Sequence, residues 1–272
     1  MLLLLLPGLI FIGAALIWPL VIMLRVSFLQ RFPGPVVYTI AKYAALLDDN
    51  YFIDITLRTF GLGLVVTVAT AVIGYPVAWY LARSPSRWRH LVFLGVVFPL
   101  LVSVVVRTVG WTILLGTQGV INKLLIALGI IHDPLVLMES FWSVAVGLVH
   151  VLLPFMILSI AAVLGRIDKS YSEAAYTLGA TPLRNFVSIT LPLSIEGLAA
   201  GSVIVFCLTI GTYITPVWLG RGHVTVLAIS IFDEMVTLVD WPTGAALGML
   251  LTVATLLLLA AYGVFLSRYT KR

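Results

Sequence analysis

The chain has 272 residues, of which 61% are hydrophobic and only 10% charged, and its mean hydropathy is +1.15. Soluble domains are about a quarter charged, and disordered chains are polar, so both classes are excluded and a polytopic membrane protein remains. The net charge of +5 then reads as basic loops beside a bilayer, not as a nucleic-acid surface.

Six apolar runs of about 23–26 residues occupy 2–24, 60–82, 91–116, 141–165, 197–219 and 243–266. Each is long enough to cross a bilayer as a helix, for which roughly 20 apolar residues suffice. The pattern predicts an all-α membrane protein forming a single transmembrane domain over 1–272. The first run lacks a basic leader and exceeds the usual signal-peptide core, so it reads as an uncleaved helix. Arg25, at its end, reads as a side chain snorkelling to the interface.

The loop after span 2 carries Arg83, Arg87 and Arg89; the loop after span 4 carries Arg166, Lys169 and Arg184; the tail carries Arg268, Lys271 and Arg272. The opposite side has Arg31, Lys42, Arg58, Lys123 and Arg221, together with Asp48, Asp49, Asp54, Asp133, Glu139, Asp233, Glu234 and Asp240. The positive-inside rule therefore places both termini in the cytoplasm.

Span 3 carries Arg107 with Trp111 one turn later, on the same helix face. A mid-membrane Arg costs at least about 2.5–3.5 kcal/mol. Two readings stay open: Arg107 and Trp111 face a pathway or a partner subunit, or Arg107 snorkels outward. The short apolar piece 120–128 reads as an interfacial or re-entrant helix. Pro76, Pro99 and Pro154 lie inside spans 2, 3 and 4, and His150 is placed to hydrogen-bond a carbonyl freed by Pro154. The pairs Gly197/Gly201 and Gly244/Gly248 have the small-xxx-small spacing of close helix contacts. Glu196 is placed to cap span 5. Near the outer end of span 6, Asp233, Glu234, Asp240 and Trp241 combine carboxylates with an aromatic face, a set that would draw an organic cation; the same acids are also what the positive-inside rule leaves outside.

The cytoplasmic loop 166–192 reads RIDKSYSEAAYTLGATPLRNFVSITLP. Ser170 and Glu173 have capping-box spacing, which predicts a helix from about Tyr171. Gly179 suits a left-handed helix stop. Thr181 and Pro182 suit the start of a second helix, running from Leu183 to about Thr190 and bent into span 5 at Leu191-Pro192. Ala174 and Ala175 would let another protein approach closely. An ordinary amphipathic connector is the plainer alternative.

This loop resembles the EAA loop of binding-protein-dependent ABC importer permeases, with Glu173, Ala174, Ala175, Gly179, Ile189, Leu191 and Pro192 at the motif positions. RTVGWTILLGTQGVIN at 107–122, LPFMILSI at 153–160, GTYITPVWLG at 211–220 and WPTGAA at 241–246 are similar to the first permease subunit of spermidine/putrescine-type systems. The resemblance implies a type I importer permease fold: six spans with a cytoplasmic coupling helix. It implies ATPase coupling through Glu173, Ala174, Ala175, Leu178, Gly179 and Pro182. It further implies an ABC ATPase dimer, a second permease and a periplasmic solute-binding protein as partners in a bacterial inner membrane, with each permease forming half of the pathway.

No P-loop is present: Lys42, Lys123, Lys169 and Lys271 each follow a residue other than Gly, so ATP and Mg are expected on the ATPase and no cofactor on this chain. His90, His132, His150, His223 and Cys207 are scattered and predict no metal site, and no catalytic constellation is visible. A self-contained secondary transporter or channel is the other function class, but it would favour ionisable groups at the midplane, and mid-span acids are absent.

Overall fold

The computed structural model describes residues 2–270, with side chains at 8, 10–264 and 266. Lys271 and Arg272, part of the predicted basic tail, lie outside the described residues, as does the side chain of Arg268. Among the described residues the only strand-like feature is an isolated bridge between Leu29 and Tyr38, as the high apolar content requires: helices satisfy their own backbone groups in lipid.

The helices are α1 (Leu2–Ser27), α2 (Ala41–Asp48), α3 (Asn50–Arg83), α4 (Arg89–Leu101), α5 (Val104–Leu115), α6 (Val120–Ala127), α7 (Phe141–Leu164), α8 (Ser170–Thr177), α9 (Pro182–Asn185), α10 (Leu191–Leu193), α11 (Ile195–Ile210), α12 (Ile214–Gly220), α13 (Leu227–Phe232) and α14 (Trp241–Thr270). Two π-helical turns, Phe186–Thr190 and Asp233–Thr237, interrupt the loops. Among the described residues, five helical stretches are long and apolar enough to cross a membrane; a sixth arises if the pair Pro182–Leu193 and Ile195–Ile210, bent by 62°, counts as one span. α3 has 34 residues, about 51 Å, so it extends well beyond the predicted 60–82 into what reads as outer loop.

Packing divides the chain into two units: Met1–Arg58 with Val226–Arg272, and Thr59–Thr225. In the first, α1 and α14 pack together; Gly248 lets the Met23 methyl approach to 2.9 Å of where a Cβ would lie. Leu46, Ile55, Leu227, Ala246 and Leu247 form its core.

In the second unit α7 is the central pillar, buried along most of its length. Its N-terminus is closed by a capping box between Ser140 and Ser143, in which each hydroxyl takes the other residue's backbone N–H. α11 lies against α7 at the predicted small residues. A Cβ on Gly197 would sit 2.8 Å from the Ser159 carbonyl oxygen, and one on Gly201 would sit 2.7 Å from Met156 Sδ.

Two expected spans are interrupted. Span 3, predicted unbroken over 91–116, breaks at Val102 and Ser103, whose ψ values of 134° and 139° are extended. Pro99 donates no hydrogen bond to the preceding turn, and its carbonyl instead closes a tight turn with the Val102 N–H at 3.2 Å. Span 5, predicted over 197–219, breaks at 211–213 between α11 and α12. Pro216 lies four residues after Thr212; its ring crowds that carbonyl and offers it no donor, so the helix restarts at Ile214. The bend into span 5 falls at Ser194, not at Leu191-Pro192. The π turn ahead of it, in which the Leu191 N–H reaches the Phe186 carbonyl, brings the chain to Pro192 in a widened helix. Tyr75 meets Ser194 at 2.6 Å in the interior, and the Ser194 hydroxyl donates to the Leu191 carbonyl, fixing the bend. Glu196 lies in the first turn of α11 without capping it; Ser194 occupies the cap position.

The α7–α11 contact tolerates no added bulk on its backbone side. Gly197→Val should destabilise the purified protein by about 1–3 kcal/mol, because the Ser159 carbonyl cannot move away. Gly248→Ala should cost well under 1 kcal/mol, since it meets only the mobile tip of Met23. Thermal unfolding in detergent checks this; equal losses in the two variants would show that backbone contact is not the deciding factor.

Candidate functional site

Three places gather the chemistry predicted from the sequence: the loop between α7 and α11, the face of α5, and the polar turns before α14.

In the loop, α8 starts at Ser170 with Lys169 at the cap position and no side-chain cap, so the predicted Ser170/Glu173 capping box does not form. Asp168 takes its place: its carboxylate accepts the Ser170 N–H at 2.9 Å. The Glu173 N–H, which a Ser170 cap would have taken, reaches the Lys169 carbonyl at 3.0 Å instead, because the helix already begins one residue earlier. The hydrogen bonds from Ser170 hold the Asp168 carboxyl below its usual range, while Glu173 stays exposed. α8 ends as predicted. Gly179 has φ +81°, the Ala180 N–H reaches the Ala175 carbonyl and the Gly179 N–H reaches the Tyr176 carbonyl, each at 3.0 Å. This double closure requires the left-handed residue that Gly supplies without strain. Thr181 caps α9 through the Arg184 N–H at 3.3 Å, with Pro182 in the first turn, also as predicted.

The two alanines separate. Ala175 is 7% exposed and packs within the loop, whereas Ala174 faces outward, so only Ala174 is free to meet another surface. Beside it Leu178 is 88% and Leu183 73% exposed, and Tyr171 and Tyr176 are also open. Asn185 is buried behind them and donates to the Tyr176 hydroxyl at 3.3 Å. The loop thus presents an apolar face on a locked helix–turn–helix frame.

On α5, Arg107 and Trp111 both reach α7. Arg107 donates to the Val151 carbonyl at 3.3 Å, and its Nε is buried with no partner among the described residues. Trp111 donates to His150 Nδ1 at 3.2 Å, with the rings edge-on at 5.7 Å. Arg107 therefore points across to α7 and does not snorkel outward. His150 is not bonded to a carbonyl freed by Pro154; its ring is held by Trp111. Thr108 meets Thr215 at 3.3 Å in the interior, joining α5 to α12, the halves of the two broken spans that follow the breaks. Asn122 pins α6: its amide donates to the Gly116 and Leu135 carbonyls and accepts the Leu135 N–H. Neither the threonine pair nor Asn122 stands out in the sequence, because such pairs join residues with no local pattern.

Ahead of α14 the predicted acids do not act alike. Asp240 is engaged by Lys42, which donates to both carboxylate oxygens at 2.9 and 2.7 Å and to Thr243 Oγ1 at 2.6 Å. Thr243 in turn donates to Asp240. Asp240 is presented from Val239, whose φ of +57° is strained for a β-branched residue. Burial pushes the Asp240 carboxyl up, but the Lys42 and Thr243 hydrogen bonds outweigh it and hold it below its usual range. Burial, reinforced by Asp240 and Asp233, raises Glu234. Trp241 packs edge-on against Phe32 at 6.4 Å. Only Asp233 and Glu234 of the three acids lack a fixed cationic partner among the described residues. Lys42 carries no local sequence signal for this role, because its partner lies 198 residues away.

Residues 73–271 match the family described as "Binding-protein-dependent transport system inner membrane component". The chain is 33% identical over 247 residues to the spermidine/putrescine transport system permease protein PotB of Escherichia coli K12, covering 90% of each chain. It is 34% identical over 248 residues to the inner membrane ABC transporter permease protein YdcU of the same organism, covering 85% of this chain and 75% of that one. A chain of a bacterial alginate ABC transporter, solved with its alginate-bound periplasmic protein, superposes with TM-score 0.84 at 19% identity, over 98% of this chain and 94% of that one. A chain of the MetNI methionine ABC transporter gives TM-score 0.59 at 16% identity, over 81% and 99%. These two structural likenesses establish the fold, that of type I ABC importer permeases.

The Lys42–Asp240 pair sets a pH response. A carboxyl held below its usual range contributes stability that is present above about pH 4 and is lost as pH falls through its native value. Glu234 works the other way, so its protonation on acidification first relieves repulsion. Stability should therefore rise slightly between neutral pH and about pH 5, then fall below about pH 4. A Lys42→Met/Asp240→Asn double-mutant cycle should give a coupling of about 1–2 kcal/mol at pH 7 that vanishes at acid pH. Thermal unfolding across pH measures both; a coupling unchanged at pH 3 would refute the assignment.

Proposed function

The chain belongs to the family of binding-protein-dependent transport system inner membrane components, and we propose that it works as one half of a two-permease polyamine importer. It is a permease subunit of an ABC importer, working with a binding protein and an ATPase in the inner membrane. The observation that carries the coupling is the loop between α7 and α11, whose locked frame holds Ala174 and Leu178 outward. In our reading this face seats in the ATPase dimer, which supplies ATP and Mg, while this chain binds neither and catalyses nothing. Both termini then lie in the cytoplasm, on the side of the basic loops.

A second, different permease completes the pathway, in keeping with the similarity to PotB, the permease of a spermidine/putrescine system. The solute is a polyamine or a close relative, favoured by that similarity and by Asp233, Glu234 and Trp241 on the outer side. Arg107, tethered to α7 beside the break in span 3, is the residue placed to respond when the broken helices shift. Interrupted spans also suit a self-contained transporter, but these carry no acid in mid-span to couple to an ion.

Two experiments test this reading. Ala174→Trp and Leu178→Asp should abolish ATPase association and uptake while leaving thermal stability within about 0.5 kcal/mol, because both sites are exposed. Ala175→Trp should instead destabilise by about 1–3 kcal/mol, because that position is filled. ATPase pull-down and spermidine uptake from the same membranes decide; wild-type values for Ala174→Trp and Leu178→Asp would reduce the loop to a connector. Separately, Arg107→Leu should lower uptake at least tenfold with ATPase association intact, and Arg107→Lys should restore part of it. Normal uptake by Arg107→Leu would remove the residue from the pathway.

A further inference from the structure

Where the C-terminal end of α3, the N-terminal end of α4 and the C-terminal end of α7 converge, they enclose a cleft of about 510 Å³. Its walls are apolar, formed chiefly by Leu81, Phe93, Leu158 and Ala161. Its ionisable lining is Arg89 and His90, and no carboxylate lines it. Next to this rim Trp88 is exposed, with the Arg87 guanidinium 5.8 Å from its ring centroid. An exposed Trp beside Arg at the end of a membrane helix marks the interfacial belt, so the rim lies at headgroup depth and the cleft opens below it into the acyl region.

A cleft of this kind selects its occupant. Water alone would wet apolar walls at membrane depth. A free inorganic anion would answer Arg89 but leave those walls bare. An apolar helix from another subunit would fill the walls and leave Arg89 without counter-charge. An amphiphile with one negative head and a hydrocarbon tail satisfies both halves, and basic pockets between helices at the cytoplasmic end of a bundle are suited to such heads. We propose that the cleft binds one anionic phospholipid, its phosphate at Arg89 and His90 and one acyl chain along Phe93, Leu158 and Ala161. The lipid buttresses the end of α7 from which the Ala174 loop departs. The inference rests on the membrane reading of this chain but not on its partners or solute.

The test uses the purified importer reconstituted in nanodiscs containing equal phosphatidylglycerol and phosphatidylcholine, then stripped with detergent and weighed by native mass spectrometry. The wild-type complex should keep one phosphatidylglycerol per copy of this chain and no phosphatidylcholine. Arg89→Gln should lower the retained fraction about fivefold, as expected for one basic group at a membrane surface. Ala161→Leu should lower it comparably by filling the cleft with both rim groups intact. Arg87→Gln should leave it unchanged, because Arg87 lies on Trp88 outside the cleft. Equal retention of the two lipids by wild type would overturn the site. So would a loss in Arg87→Gln matching that in Arg89→Gln, which signals diffuse surface charge, or displacement of the lipid by inorganic phosphate, which signals a plain anion site. ATPase pull-down on the same samples keeps the readings apart. Lipid retention without ATPase association sinks the importer partnership alone, and normal ATPase association without lipid preference sinks this site alone.

Discussion

The close contact of α7 with α11 is the constraint on which the larger unit depends. In lipid, helices gain little from hiding apolar surface from each other, so association relies on how closely backbones approach. Gly197 and Gly201 bring α11 onto Ser159 and Met156 with no room for a Cβ. With that distance fixed, α7 is buried along its length, and α5 and α12 are built around it. The loop joining α7 to α11 inherits a fixed span between its two ends.

The interruptions follow from proline chemistry and are stabilised by buried polar pairs. Pro99 and Pro216 each remove a donor from a helix ladder, and the freed backbone must be accommodated by neighbours. Thr108 and Thr215 tie together the half-helices that follow the two breaks, and Tyr75 with Ser194 holds the separate bend that leads into span 5. Arg107 takes a carbonyl of α7 beside Pro154. A span divided in this way has two rigid pieces and a short joint. That arrangement suits a protein that must alternate between two packings.

Function is distributed along the chain by the same economy. The loop between α7 and α11 is locked internally by Gly179, Thr181 and the buried Ala175, which leaves Ala174 and Leu178 exposed. On the first unit, Lys42 neutralises Asp240 and fastens α2 to the start of α14, and of the three acids before α14 it leaves Asp233 and Glu234 without a fixed cation among the described residues. The basic rim at Arg89 belongs to neither device.

Features set by near neighbours were legible in the residues. Apolar runs long enough for a bilayer gave the helices, Gly179 gave the left-handed stop, and Thr181-Pro182 gave the second start, because each depends on hydrogen bonds within a few positions. The glycine pairs announced close contacts, though not their partners. What the tertiary structure decided lies beyond that range. At the start of α8 the Glu173 N–H went to the Lys169 carbonyl and the Ser170 N–H to Asp168, because the helix begins one residue before the capping-box spacing places it. Ala174 and Ala175, identical in sequence, divided into a free and a filled position once α9 packed beneath them. Lys42 and Asp240 lie 198 residues apart, and Thr108 and Thr215 lie 107 apart. No periodicity connects such pairs, because a bilayer constrains the length and polarity of each helix but not which faces meet.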